Sequence, residues 1–404
     1  MNYQLIKADA RKLDMIPDNS VDLVITSPPY FSLRNYKDGE ESLEGQIGAE
    51  PSPREFLEAL WEVTAECKRV IKPTGSIFVN LGDKYAGSGG HNNSNIGAKK
   101  GRGPSRYTQE SSGIPAKSLM LLPERYRIGC VDDLGLIARA VIVWDKPNGL
   151  PESVTDRVRR SHEDWVHLTK EPRYFAAVDE VREPLGEWSK NPRTRSDSGD
   201  GGRGAQGLPG YKDIKRSEWT EGHPLGKLPG SVWTVASEPL RVPPELGVEH
   251  FAAFPQEWPR KFILGWSPSG ICQECGEGRK PTADVERTVL RRRSSERSHS
   301  GANGQAPMGG YRGDVSRVIT GYSCACTEAT APTFPAVVLD PFCGTGTTIM
   351  VARALGRFGI GVDLSSDYLR LARWRIDESD HVKKTIECTY GKEAMKKWLK
   401  ERNQ

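Results

Sequence analysis

The chain has 404 residues, a net charge of +4 and 36% hydrophobic residues. That length leaves room for a sizeable core in two or three domains, while so small a positive charge does not by itself mark a nucleic-acid-binding protein. No stretch of about 18 apolar residues and no signal-peptide pattern occurs, so a soluble, cytoplasmic protein is expected, and eight cysteines over this length do not read as a disulfide framework.

Strand and helix alternate from the start. Residues 3–30 read as strand, loop, strand, the second strand being Val21-Asp22-Leu23-Val24-Ile25. It runs into Thr26-Ser27-Pro28-Pro29-Tyr30, where two prolines stiffen a loop carrying a hydroxyl and an aromatic ring. Such a loop suits holding a flat base. A helix is predicted from Glu55 to Val70, and Pro73-Thr74-Gly75 reads as the turn into a strand from Ser76 to Leu81. Residues 86–113 are rich in Gly, Ser and Asn, have no apolar period and read as a mobile loop. Leu119 to Leu136 reads as mainly helical, Ile137 to Trp144 as a strand ending at Lys146-Pro147-Asn148, and Trp165 to Thr169 as a further strand. Residues 184–230 are polar. The alternation resumes at Val337-Val338-Leu339 and continues through Asp363 to a last helix from Asp367 to Ile376. A mostly parallel sheet with helices on both faces follows from this order.

Between Leu339 and the helical run Ile349–Leu355 lies Asp340-Pro341-Phe342-Cys343-Gly344-Thr345-Gly346-Thr347-Thr348. A strand, a glycine turn and a helix build a nucleotide-type pocket, because glycine lets the backbone approach a ligand closely. Asp340 can accept hydrogen bonds from the turn or from a cofactor amino group, and Gly344 and Gly346 leave room. Thr347 and Thr348 open the helix, where hydroxyls can satisfy unpaired N–H groups. Asp363 ends the next strand and suits ribose hydroxyls. Read alone, the glycine turn also fits a tight turn or a nicotinamide site.

Cys272-x-x-Cys275 and Cys324-x-Cys326 form a separate signal, four thiols in two close pairs that suit a tetrahedral structural zinc. Four reduced thiols in a variable insertion is the other reading. Arg279, Lys280, Arg291, Arg292, Arg293, Arg297, Arg312 and Arg317 lie between the pairs, as a solvated loop or as phosphate contacts.

The Ser27-Pro28-Pro29-Tyr30 loop and the Asp340–Thr348 segment together resemble the amino-methylating DNA methyltransferases, and their order, catalytic motif first and cofactor motif last, is that of the family's β group. The resemblance covers about residues 3–180 and 230–378. It implies a circularly permuted, Rossmann-like α/β fold, S-adenosylmethionine as cofactor, and double-stranded DNA as partner. It also implies that Ser27 and the Pro28 carbonyl hold the target amino group, with Pro29 shaping the loop and Tyr30 stacking on a base flipped out of the duplex. Cofactor contacts are implied for Asp9, Phe254, Pro255, Asp340, Pro341, Phe342, Gly344, Gly346, Thr347, Thr348 and Asp363; Phe254 and Pro255 belong to a His-x-Ala-x-Phe-Pro-like segment at 250–255. Ile142–Asn148 resembles a family segment near the flipped base. No covalent intermediate is needed, so Cys343 reads as a buried thiol.

The domains expected are a catalytic half at 1–183, a target-recognition segment at 184–230, a cofactor-side return at 231–270, a zinc-ribbon-like insertion at 271–327 held by Cys272, Cys275, Cys324 and Cys326, and a cofactor-binding half at 328–404. Serine at position 27 favours N4 of cytosine as the methylated atom, with N6 of adenine the alternative. An inactive binding module and an RNA methyltransferase are weaker readings. A cognate restriction endonuclease is a partner the resemblance leaves open.

Overall fold

The computed structural model describes residues 2–32, 37–38, 41–42, 45–87, 113–149, 151–184, 225–238, 240, 242, 246, 254–289, 313–326, 330–377 and 383–387. Most of the loop expected at 86–113 and most of the segment expected at 184–230 lie outside the described residues.

The strands in chain order are β1 (Tyr3–Lys7), β2 (Val21–Thr26), β3 (Lys37–Asp38), β4 (Glu41–Ser42), β5 (Ile71–Leu81), β6 (Ile137–Asp145), β7 (His162–Thr169), β8 (Val232–Thr234), β9 (Ile271–Cys272), β10 (Lys280–Val289), β11 (Gly313–Ser323), β12 (Thr333–Phe334), β13 (Val337–Asp340) and β14 (Phe358–Asp363). Helices among the described residues include α1 (Pro53–Val70), α2 (Leu122–Asp132), α3 (Glu257–Trp266), α4 (Thr347–Ala354) and α5 (Ser366–Asp377), and residues 383–387 are also helical.

The chain divides into two compact units. The larger comprises Met1–Ala177, Gly230–Lys280 and Cys324–Gln404. Its eight-stranded sheet has the order β1-β14-β13-β2-β5-β7-β6-β8. Neighbours run parallel from β1 to β5, and β7 is antiparallel to both β5 and β6. The two strands nearest the carboxyl terminus, β13 and β14, thus slot between the first two, which is the permuted arrangement of a Rossmann-like sheet.

Local sequence accounts for the elements. α1 starts where Ser52 caps it, its hydroxyl accepting from the Glu55 N–H at 3.2 Å, with Pro53 in the first turn. Its buried stripe is Phe56, Leu60, Val63 and Cys67, spaced for one helical face. That stripe joins Val24, Ile77 and Val79 in the core on one side of the sheet. On α2, Gly129 admits the Trp61 ring: a Cβ there would lie 2.3 Å from it. On the other side α3 packs Phe262 face to face on Phe78, with ring centroids 4.0 Å apart, amid Trp165, Trp233, Trp258 and Trp266. Pro73-Thr74-Gly75 is not a separate turn. The chain passes from α1 directly into β5 at Ile71, and those residues form an irregularity, since Val21 pairs with Ile71 but Leu23 pairs with Ser76. Gly75 is needed there because a Cβ would stand 2.4 Å from Ile71 Cγ1.

The smaller unit comprises Val178–Pro229 and Pro281–Ser323. In it, Glu183 and Lys227 bridge antiparallel, the Tyr322 hydroxyl donates to Glu180 at 2.7 Å, and most of the ribbon of β10 with β11 lies there. No described helix is long and apolar enough to cross a membrane.

Candidate active site

The parallel strands deliver two loops to one edge of the sheet. β2 ends at Thr26 and β13 at Asp340, and with Val338 opposite Leu23 and Leu339 opposite Val24, both ends lie side by side. The loop after β2 brings Ser27 and Tyr30 to Asn80, near the end of β5. The Ser27 hydroxyl donates to Asn80 Oδ1 at 3.3 Å, and the Tyr30 hydroxyl reaches Asn80 Oδ1 and Glu163 Oε2, each at 2.8 Å. The Asn80 amide is oriented by its own NH2 group, which donates to the Asp164 carbonyl at 3.2 Å. The phenol has one proton for two acceptors, and the carboxylate is the stronger of them. Burial, then the Glu163 charge, raises the Tyr30 phenol well above its usual range, so it stays protonated. Lys146 pairs with the other Glu163 oxygen, and its ammonium lies 4.0 Å from the centre of the Trp144 ring. Gly82 lies against the Tyr30 ring, where a Cβ would come within 2.7 Å of Cε2.

The Asp340 carboxylate, 1% exposed, is filled by the protein: Thr26 Oγ1 donates at 2.8 Å, Thr348 Oγ1 at 2.7 Å and the Phe342 N–H at 3.1 Å. Burial pushes it up to about 6 against these bonds. It therefore holds the turn; no oxygen faces outward for a cofactor amino group. Thr347 and Thr348 lie past the cap position, which Gly346 occupies, and neither satisfies a helix N–H. Thr348 serves Asp340, while Thr347 and Thr345 accept from Arg375 at 2.6 and 2.9 Å. Gly346 has φ +73°, and a Cβ there would meet Ala372 of α5 at 2.9 Å, so its lack of a side chain serves the turn and the helix packing. Gly344 is different. It has φ +48°, and among the described residues a Cβ there would find only the Phe342 carbonyl, at 4.0 Å.

Asp363 ends β14, one oxygen accepting from the Gly344 N–H and the other from the Ser365 N–H, both at 2.9 Å. Asp9 follows β1 at the same edge, since Lys7 pairs with Asp363. Although burial opposes it, bonds from the Arg11 guanidinium and N–H hold Asp9 below the usual carboxylate range. Pro341 is buried and Phe342 half-buried. Phe254 stands edge-on to Trp165 at 5.7 Å, and the carbonyl of the buried Pro255 receives the Trp258 N–H as α3 begins. Residues 250–253 of that segment lie outside the described residues. Cys343 is buried, and burial raises its thiol well above its ordinary value, as an inert thiol requires.

Sequence reading missed Asn80 and Arg375, and it leaves Glu163, in the family-like segment of Arg157, Arg159, Arg160 and His162, outside the site. Arg375 is 3% exposed, and burial lowers its guanidinium to about 10.

A sequence model described as DNA methylase matches residues 21–271 and 328–373. The chain belongs to the DNA methylase family. Among the relatives of this methylase, type II methyltransferase M.SmaI of Serratia marcescens is 26% identical over 92% of this chain and 90% of its own length. Type II methyltransferase M.Cfr9I of Citrobacter freundii is 32% identical over 66% of this chain and 73% of its own. The solved structure of the PvuII DNA methyltransferase (cytosine-N4-specific) matches with a TM-score of 0.51 at 16% identity, covering 97% of this methylase and 94% of that chain. The likeness is one of fold, that of the S-adenosylmethionine-dependent DNA methyltransferases.

A second cluster lies elsewhere in the larger unit. The sulfurs of Cys272, Cys275, Cys324 and Cys326 all lie within 4.8 Å of one another. Gly276 takes φ +72° and returns its N–H to the Cys272 carbonyl at 3.0 Å, the tight turn of a knuckle. Tetrahedral Zn–S bonds of about 2.3 Å would put sulfurs roughly 3.8 Å apart; Cys272 and Cys326 stand at 3.7 Å. The donor set fits zinc. Backbone N–H groups of Cys275 and Glu274 lower the Cys272 thiol to about 6.

Proposed function

We propose that this methylase transfers a methyl group from S-adenosylmethionine to N4 of a cytosine flipped out of duplex DNA at a specific site. The observation that carries the reading is the bond from the Ser27 hydroxyl to Asn80 Oδ1. With its proton directed into the Asn80–Tyr30 network, Ser27 Oγ keeps lone pairs for a target. An exocyclic amino group donates to such an oxygen, and that bond, with one to the Pro28 carbonyl, holds its nitrogen and increases its lone-pair character. Serine rather than aspartate at this position supports cytosine N4 over adenine N6.

Residues that would hold S-adenosylmethionine are Asp9 and Asp363 at the carboxyl ends of adjacent strands, the open side of Gly344, and Phe342, Phe254 and Pro255 nearby. The space left at Gly344 is the observation that fits them to a ligand. When bound, this cofactor supplies a methyl on a sulfonium, which departs as a neutral thioether. The protein needs no covalent intermediate; alignment of the acceptor nitrogen supplies most of the rate. Tyr30 would stack on the flipped base, and a ring held by its hydroxyl keeps its face free.

The four cysteines would hold one structural zinc, and residues 184–230 and 271–327 would carry target recognition and phosphate contacts. The type II names of the relatives support a place beside a restriction endonuclease that cuts the same site. Sequencing of modified bases in DNA from a host expressing the chain tests the reading. N4-methylcytosine at one recurring sequence is expected; N6-methyladenine, or no modified base, would overturn it.

A further inference from the structure

Tyr30 is held at its ring by Gly82 and at its hydroxyl by a carboxylate. Gly82 lies against the Cε2–Cδ2 side of the ring, and the hydroxyl donates to Glu163, with Asn80 Oδ1 also at 2.8 Å. Glu163 is itself held. Its side chain is 14% exposed, its second oxygen pairs with Lys146, and that ammonium rests on the Trp144 ring. The scaffold is rigid, because Trp144 and Glu163 are opposite one another on β6 and β7, and the Lys146 N–H donates to the Ser161 carbonyl at 2.9 Å. The para oxygen lies on the ring's long axis, and because a phenol O–H prefers the ring plane, an acceptor fixed beside it biases the ring's rotation while touching neither face. A phenylalanine at position 30 would give Glu163 nothing to hold.

We propose that Glu163, oriented by Lys146, is a positioning residue that acts on methyl transfer through the Tyr30 hydroxyl, setting the plane on which the flipped base stacks. The inference rests on the reading of Tyr30 as the stacking residue. It requires Glu163 and the phenol to work as one unit, so their losses must not add.

The test is a double-mutant cycle of Glu163→Gln, Tyr30→Phe and the two together. Single-turnover transfer of radiolabelled methyl from S-adenosylmethionine to unmethylated plasmid DNA is measured, with cofactor affinity and unfolding temperature alongside. A charge-assisted hydrogen bond supports a loss of about tenfold in rate for each single variant. The double variant is expected to match either single one, with cofactor affinity unchanged in all three. A double loss of about a hundredfold, the product of the singles, would overturn the proposal, as would an undiminished rate in Glu163→Gln. A purely structural role for Glu163 would lower the rate equally in the wild-type and Tyr30→Phe backgrounds, and so would also overturn it. Should Glu163→Gln fail to fold, Lys146→Gln replaces it in the same cycle, and its loss must likewise vanish in the Tyr30→Phe background. Failure of the wild-type chain to label plasmid DNA, or full turnover by Tyr30→Ala, would instead refute the underlying reading of the site.

Discussion

Thr26, the last residue of β2, donates a hydrogen bond to Asp340, the last residue of β13, at 2.8 Å across 314 positions of sequence. This bond joins the loop that carries Ser27 and Tyr30 to the turn that carries Gly344. Asp340 also accepts from Thr348 and from the Phe342 N–H, so one buried carboxylate sets the spacing of the two halves of the site. A methyl transfer needs its acceptor nitrogen, carbon and sulfur in line, and that spacing is what the chain must control.

Asp340 gives a pH signature. Its ordinary value is 3.8 and burial raises it to about 6 in the folded chain. A carboxyl raised on folding binds more protons in the folded state than in the unfolded one. Its stabilising contribution is therefore complete below about 4 and is lost as pH rises through about 6. The loss is on the order of 2–3 kcal/mol. Asp340→Asn removes this titration. The unfolding temperature of wild type relative to Asp340→Asn should fall between pH 4 and pH 7 and level off above it; a difference independent of pH would contradict the raised value.

Ser27→Ala should reduce the methyl-transfer rate about ten- to a hundredfold, the value of one hydrogen bond to the reacting group. Cofactor affinity should not change, because Ser27 bonds Asn80 and not the glycine turn. Single-turnover rates and calorimetry with S-adenosylmethionine check the two halves of this statement separately. Tyr30→Ala should lose a similar factor, since stacking of one base is worth about 1–3 kcal/mol.

The sequence exposed the two loops because each is built from neighbours in the chain. Prolines at 28 and 29 and glycines at 344 and 346 constrain their own backbone, and a pattern of a few residues reveals that. The roles of the groups that orient those loops were hidden for the converse reason. Asn80 and Glu163 reach Tyr30 only through the pairing of β2 with β5 and of β5 with β7, and register between distant strands leaves no local mark. Thr347 and Thr348 were read as helix-opening hydroxyls from position alone. Gly346 takes the cap instead, which frees both for Arg375 and Asp340. The Pro73-Thr74-Gly75 turn failed similarly, because a proline and a glycine also suit an irregular strand entry.

Arg375 should control the glycine turn without touching the reaction. Its Nη1 group donates to Thr345 and Thr347, while Nε has no partner among the described residues. Arg375→Leu removes both bonds and leaves two buried hydroxyls unsatisfied. The affinity for S-adenosylmethionine should fall about tenfold, with the single-turnover rate at saturating cofactor nearly unchanged. Calorimetry giving wild-type affinity would show that the turn holds its shape without the guanidinium.

The cysteine cluster should carry about one zinc per chain. Cys272 and Cys275 precede β10, and Cys324 and Cys326 follow β11, so a metal here would tie together the two chain segments at the base of that ribbon. Four sulfur ligands leave no open coordination position, so the metal should contribute to folding rather than to methyl transfer. Replacing Cys272 and Cys275 together with serine should abolish the zinc, lower the unfolding temperature and raise amide hydrogen exchange over residues 271–283 and 319–326. Cofactor affinity should stay intact, because the four cysteines are not part of the Asp340–Thr348 turn. Prolonged chelation should produce the same changes in the wild-type chain, and added zinc should reverse them. Elemental analysis that finds no zinc in protein purified without chelator would end the assignment.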